Sequence, residues 1–570
     1  MPTPPPSPAL RHAAAVVLFL APMPLAACSG SRGLAESGYT PSANVCIREG
    51  KPAAVPGIPM GDPATIARIL EEGKHHNQVM EHLRYLTQEI GPRLTASTNA
   101  EKANNWTLAQ FRSWGLDAQM WQWGTYPTRF DRGPSYGKLL VKETRTKDDG
   151  AKEVEWKPIR DFEFTTLCWT AGTHGPRRGP VVIEPASEEE YAKVKDKLKG
   201  AWVLLDKLPT SRGIREPVNL SGKRYEARAA ARADVASGKR QIKDLNIEDR
   251  LIFDGVAGFI TATDDQRDRV WTGRVPGWDT RKADEVIPDV EVVVRCSDHD
   301  NMRTRLMDGE DFQVEFDVNN TLTAGPIPVY DTIAEIKGTD KPDEVVVVCG
   351  HLDSWNGPGS QGATDNGTGS MVALEAARIL AAAHARPKRT IRFCLWTGEE
   401  QGLLGSKAYV KSLGDAVNRV SVCLNDDGGT NYEGGLLCTP NMADYLAAAT
   451  APVNNQFYDF MDGKPLNVNI HTQEKFPRGG GSDHASFTAA GVPGFFWDEV
   501  GRADYRWGWH TQHDRFDLAI REYLEQSATC QAVTAYNLAC APDLLPRVPP
   551  PDADESKKIE QEKKERGITK

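Results

Sequence analysis

Between residues 344 and 427 the chain alternates continuous apolar runs with helix-like ones: "EVVVVCG", "GSMVALEAARILAAAH", "RTIRFCLWTG", "GSKAYVKSL", "RVSVCLND". A strand that is apolar at consecutive positions is buried on both faces, and strands separated by helices pair in parallel through crossovers. The pattern predicts an α/β fold, a mostly parallel mixed sheet flanked by helices. Sheets of this kind present their ligand sites at the carboxyl ends of the strands. The ionisable residues gather at those ends: His351 and Asp353 after the first strand, Glu399 and Glu400 after the second, Asp426 and Asp427 closing the third. Taken singly, a histidine after a strand is most often structural and a Glu-Glu pair most often solvated surface. At successive strand ends, adjacent carboxylates would lose hydration and repel one another unless a cation compensated them.

The loop after the first strand, "GHLDSWNGPGSQGATDNGTG", is rich in glycine. Glycine-rich turns before helices cradle phosphate on backbone N–H groups, but this one has neither a Gly-Lys-Ser/Thr ending nor GxGxxG, and its carboxylates repel anions. Imidazole and carboxylate together suit a divalent metal. The formal net charge of -10 carries no long charged blocks, so nothing points to nucleic acid as a partner. The ten cysteines include no CxxC pair. Cys349, Cys394 and Cys423 read as buried thiols in strands, and Cys530 and Cys540 share one predicted helix about 15 Å apart, too far to bridge.

Beyond this region the chain divides by composition. Residues 1–27 have a basic start, a short apolar run broken by Pro22 and Pro24, and small residues before Cys28. Leu25-Ala26-Ala27-Cys28 resembles a bacterial lipobox, which implies an acylated Cys28, attachment to the membrane through that lipid, and a place in the cell envelope on the periplasmic side of the outer membrane. Residues 28–61 read as a flexible tether. Residues 62–135 read as the first part of a catalytic domain, with helical spacing in "DPATIARILEEG", "HNQVMEHLRYLTQEI" and "TNAEKANNWTLAQFRSWGL" followed by the strand "DAQMWQWGTY". Residues 136–325 change to short strands with fewer long helices, and resemble a smaller β-rich protease-associated domain inserted into the catalytic one. Residues 326–545 complete the catalytic domain, and 546–570 read as a charged, solvated tail.

A hydrolase using two metal ions accounts for the acidic strand ends, because it needs a carboxylate shared between the ions and a separate base. The motifs "GPRLTAS", "GHLDSWNGPGSQGATDNGTG", "RPKRTIRFCLWTGEEQGLLGSKAY", "LNDDGGT", "GGGSDHASF" and "WHTQHD" occur in series. This series resembles the di-zinc exopeptidases related to carboxypeptidase Q and to bacterial secreted leucyl aminopeptidases. The resemblance implies two Zn2+ ions, bridged by Asp365, with His351 and Asp427 on one and Glu400 and His510 on the other. It makes Glu399 the general base and Asp353 the partner that orients the His351 imidazole. Asp426 competes with Asp427, and His513 and His484 with His510. Arg515 stands where the family usually has Thr, which leaves the orientation of Asp514 open. His484 reads equally as pocket wall or packing, and Trp507 and Trp509 as packing or a subsite. The implied activity is hydrolysis of small peptides with a free N-terminus, as an aminopeptidase or dipeptidase. The alternatives are a glutaminyl cyclase-like enzyme with one zinc and a non-catalytic peptide-binding member of the fold.

Overall fold

The computed structural model describes residues 44–209, 215–357, 359–550, 552–557 and 561. The signal-peptide and Cys28 readings lie outside the described residues. No helix among the described residues is long and apolar enough to cross a membrane.

The central sheet has six strands, in spatial order Gly494–Phe496, Val420–Asn425, Lys341–His351, Arg389–Trp396, Asn320–Ile336 and Asp117–Arg132. The first four are mutually parallel, and the last two join antiparallel. Strand pleating sends alternate residues to opposite faces. Val346 and Val348 therefore enter one core, with the helices Thr368–Ala382 and Arg521–Cys540, while Val345, Val347 and Cys349 enter another, with Tyr409 and Phe487. Both faces are covered, which explains why the strands lack a polar alternation. Helix Thr98–Ser113 is capped by Ser97, whose hydroxyl accepts the Ala100 N–H.

The strands Asp117–Arg132 and Asn320–Ile336 run alongside each other over most of their length and bracket residues 136–317. That stretch forms its own eight-stranded sheet around a core containing Trp202, Ile260, Val292 and Phe316. It also holds the 22-residue helix Arg215–Ala236, longer than the strand-dominated pattern suggests, built on an Ala/Arg-rich sequence of high helix propensity.

Two expectations need correction. The tether at 28–61 is not irregular throughout: Cys46–Arg48 and Lys51–Ala53 form a hairpin, and Cys46–Arg48 pairs in parallel with Asn469–Thr472 in a second sheet of five strands. The short run Val45-Cys46-Ile47 suffices because Cys46 is fully buried in the main core. The tail is also anchored beyond residue 546. Arg547 donates to the Val420 carbonyl at 2.8 Å, and Val548 is buried with its N–H on the Gly491 carbonyl. The nine described cysteines are free and buried, and Cys530 and Cys540 share the helix Arg521–Cys540.

Candidate metal centre and its comparisons

The strand Lys341–His351 ends by delivering His351 into a fully buried position. Its Nδ1 faces the Asp353 backbone carbonyl at 2.9 Å, which leaves Nε2 aimed at Asp427 Oδ1 (3.0 Å) and Asp365 Oδ1 (3.3 Å). Glu399 Oε2 lies 3.9 Å from the same Nε2. On the other side of Asp365, His510 Nε2 is 3.1 Å from Asp365 Oδ2 and 3.1 Å from Glu400 Oε2. The result is two triads with one member in common: His351, Asp365 and Asp427, and Asp365, Glu400 and His510. In each, the ligand atoms lie within 4.8 Å of one another. Glu399 belongs to neither triad, lies beside His351 of the first, and is 9% exposed.

Asp365 can reach both histidines because the loop before it turns sharply. Gly362 adopts φ +60, where a side chain would also strike Ser354, and Gly369 lies so close to the Asp426 carbonyl that a Cβ has no room. Asp426 itself turns away from the triads, toward Glu499 and Glu433. His513 stacks on Trp507 at 4.0 Å, outside both triads. His484 is buried, its ring edge-on to Phe496, and burial lowers its pKa to about 4. Trp509 packs 4.6 Å from His510.

The charges do not balance within the protein. Asp353, Asp365, Glu399, Glu400 and Asp427 are all buried around two imidazoles. Burial pushes Glu400 up to about 7, with Asp365 adding to the rise, and burial with Asp427 and Glu400 raises Glu399. Burial alone would lower His510, but Glu400 and Asp365 raise it to about 10. Asp365 Oδ2 is buried without a well-formed hydrogen bond. Surplus buried negative charge, an unsatisfied carboxylate oxygen and an imidazole nitrogen facing carboxylates together fit a pair of divalent cations.

Asp353 faces the His351 ring twice: its backbone carbonyl lies 2.9 Å from Nδ1 and its carboxylate Oδ1 3.5 Å from the same nitrogen. The carboxylate also accepts the Thr95 hydroxyl at 2.7 Å and the Glu399 N–H at 3.3 Å, so it positions the chain carrying Glu399 as well. Asp514 is held by the Thr364 hydroxyl at 2.8 Å, one residue before the shared carboxylate; burial and Asp365 push it up to about 7.

Several residues that shape the site had no role assigned from the sequence. Arg93 is fully buried and donates to the carbonyls of Leu352, Gly91, Gln361 and Gly362, pinning both ends of the ligand loop. Burial lowers it to about 10, against the opposing pull of Asp514 and Asp353. Arg93 and Thr95 both lie in "GPRLTAS", the one signal that pointed to them. The bracketed segment 136–317 also reaches the centre. Thr272 N–H donates to the His510 carbonyl at 3.0 Å, Trp271 bridges Thr511, and Val270 N–H donates to Gln512 Oε1 at 2.7 Å. His510 stands at φ +57, a conformation that residues with side chains rarely adopt, and these bonds hold it there.

Residues 331–534 match the model of peptidase family M28. The chain is 26% identical over 484 residues to carboxypeptidase Q of Mus musculus, covering 85% of this chain and 90% of that protein. It is 32% identical over 219 residues to carboxypeptidase Q of Homo sapiens, 38% of this chain and 43% of the relative. Leupeptin-inactivating enzyme 1 of Streptomyces exfoliatus is 33% identical over 174 residues, 30% of this chain and 36% of its own. The crystal structure of a peptidase M28 precursor from Shewanella amazonensis SB2B shares the fold, with a TM-score of 0.55 and 21% identity over 85% of this chain and 98% of that one. With a match to the peptidase family M28 model at residues 331–534 and similarity to carboxypeptidase Q over 85% of its length, the chain is a metallopeptidase.

Proposed function

We propose that the protein is an exopeptidase, an aminopeptidase or dipeptidase, that hydrolyses small peptides with a free N-terminus using two zinc ions. The observation that carries this reading is the pair of ligand triads joined through Asp365, with Glu399 in neither but 3.9 Å from His351. Bound there, the ions would supply Lewis-acid activation of a water and of the scissile carbonyl. Glu399, outside both triads, takes the proton from the attacking water and returns it to the leaving amine nitrogen. Asp353 holds the backbone of Glu399 in place for that transfer, and Thr95 holds Asp353. Val270 and Thr272 hold the His510 loop from the segment 136–317, so that segment borders the centre on that side, which supports short substrates over chain interiors. A free α-amino group is the natural partner for the surplus carboxylates, and orienting the substrate this way supplies several kcal/mol of barrier lowering.

The test is a substrate survey. Unblocked dipeptides or N-terminal residues are cleaved, N-acetylated versions are not, and a chelator abolishes turnover. Efficient cleavage of N-acetylated peptides, or of internal bonds in a denatured protein, would overturn the exopeptidase reading.

A further inference from the structure

Away from the metal centre, Phe460 and Met461 are 50% and 78% exposed, the only sequence-adjacent pair of exposed large hydrophobics among the described residues. They form the tip of a hairpin whose strands are Tyr458–Asp459 and Lys464–Pro465. The turn is fixed from beneath by Asp459, which is fully buried. Its Oδ1 accepts the N–H groups of Met461 at 2.8 Å and Asp462 at 3.1 Å, and its Oδ2 accepts from Arg502 Nη1 at 2.9 Å and from the Tyr523 hydroxyl. The Leu466 N–H closes the base on the Phe457 carbonyl at 3.0 Å. Exposed hydrophobics ordinarily occur singly, whereas this turn is braced so that two large apolar side chains stand in water together. Its outward charges cancel, Asp462 pairing with Lys464 at 3.1 Å, so the tip offers apolar area rather than net charge.

The chain enters the fold beside this hairpin. Strand Cys46–Arg48 runs parallel to Asn469–Thr472, with Ile47 opposite Asn469. The residues before Cys46 and those before Asn469 therefore lie at the same end of the sheet, and the latter are the ones that leave the hairpin. Asn454 ties the two together: its Nδ2 donates to the Val45 carbonyl at 2.9 Å, and its Oδ1 accepts the Val468 N–H at 2.7 Å. Cys28, which the lipobox reading makes the acylated residue, precedes Asn44 by about 16 residues, a reach of at most about 55 Å. A lipid on Cys28 thus tethers the body by the end of the sheet that carries the apolar tip.

We infer that Phe460 and Met461 insert into the bilayer surface to which an acylated Cys28 ties the chain, so that tip and anchor together hold the body in one orientation on the membrane. The inference rests on the lipobox reading of residues 25–28 and is independent of the exopeptidase reading. Two points of attachment remove the tumbling that one flexible tether allows, and burial of each large side chain adds to the hold of the lipid. Because the charges at the tip cancel, insertion is insensitive to salt and to the share of anionic lipid.

The experiment uses the full-length protein purified from membranes and reconstituted in vesicles of phosphatidylethanolamine and phosphatidylglycerol. An environment-sensitive dye is placed on Met461→Cys or, as a control, on Met307→Cys, whose methionine is 75% exposed on the segment 136–317. The nine described native cysteines are buried, so the dye goes to the new thiol. With vesicles, the dye at position 461 should shift to the blue and be quenched by nitroxide-labelled lipid, while the dye at position 307 should do neither. Adding Phe460→Ser should lower the inserted-to-free ratio at position 461 by about 10–100-fold, the worth of burying one large side chain, with Tm unchanged. A dye at position 461 that stays aqueous in folded, membrane-bound protein overturns the inference while leaving the anchor intact. A response there that needs no lipid and rises with protein concentration, alongside a doubled mass, also overturns it and assigns the tip to a second copy of the chain. Mass spectrometry that finds Cys28 of the native protein unacylated removes the anchor, and with it the two-point attachment.

Discussion

Replacing Glu399 with glutamine separates the chemistry of this centre from its architecture. The side chain lies in neither ligand triad, its carboxylate stands 3.9 Å from His351 Nε2, and its backbone is tied to Asp353 at 3.3 Å. Glutamine has nearly the same volume, so no cavity opens, and the change removes one negative charge from a group that burial, Asp427 and Glu400 already push toward protonation. Metal content and Tm should therefore hold. Proton transfer is lost outright, because the amide neither accepts the water's proton nor delivers it to the leaving amine. General acid–base catalysis contributes about 10²–10⁴-fold, a barrier increase of about 2.7–5.4 kcal/mol. The assay is kcat on an unblocked dipeptide with metal content measured on the same sample. A metal-replete Glu399→Gln enzyme within about tenfold of wild type, well short of that range, would refute its role as base.

The ligand assignment predicts that Asp427→Ala weakens metal binding more than Asp426→Ala, by at least the about 10–100-fold associated with residues that merely orient ligands; competition with a chromogenic chelator reads the difference, and the reverse ranking would shift the site by one residue. Away from the centre, buried Glu375 accepts the Gln78 N–H and two Arg378 N–H groups, each at 2.8 Å, and pairs with His82 at 3.1 Å. Glu375→Gln should cost about 3–5 kcal/mol, read by chemical denaturation at pH 7. Burial opposes ionisation of Glu375, yet the bonds from His82 and Arg378 hold its pKa below the usual value. Its contribution is thus present above the unfolded value of about 4.3 and lost as pH falls further, so the variant should show a shallower loss of stability on the acid side. An equally steep acid limb in the variant would contradict this.

Much of the fold was legible because burial on both faces writes itself as unbroken runs such as Val345–Val348, and the charged residues closing those runs marked the site. The hairpin Cys46–Arg48 and Lys51–Ala53 was hidden because the proline- and glycine-rich sequence around it outweighs the one buried residue, Cys46. Arg93 contacts a loop about 260 residues away through backbone carbonyls, which carry no side-chain identity to read. The hold of Val270 and Thr272 on the His510 loop is likewise made by backbone N–H groups and leaves no motif. Asp353 was recognisable as a neighbour of His351, but only geometry shows that its carbonyl also faces the histidine and that its carboxylate reaches the Glu399 N–H.

The central claim is that Asp365 joins two metal positions, and zinc titration of the metal-free protein, with bound zinc and dipeptide turnover followed together, tests it most directly. The account predicts two zinc ions per chain at saturation, with Asp365→Asn weakening both because each triad uses that carboxylate. Saturation of wild type at one zinc with full turnover, the behaviour of a single-metal enzyme, would contradict it.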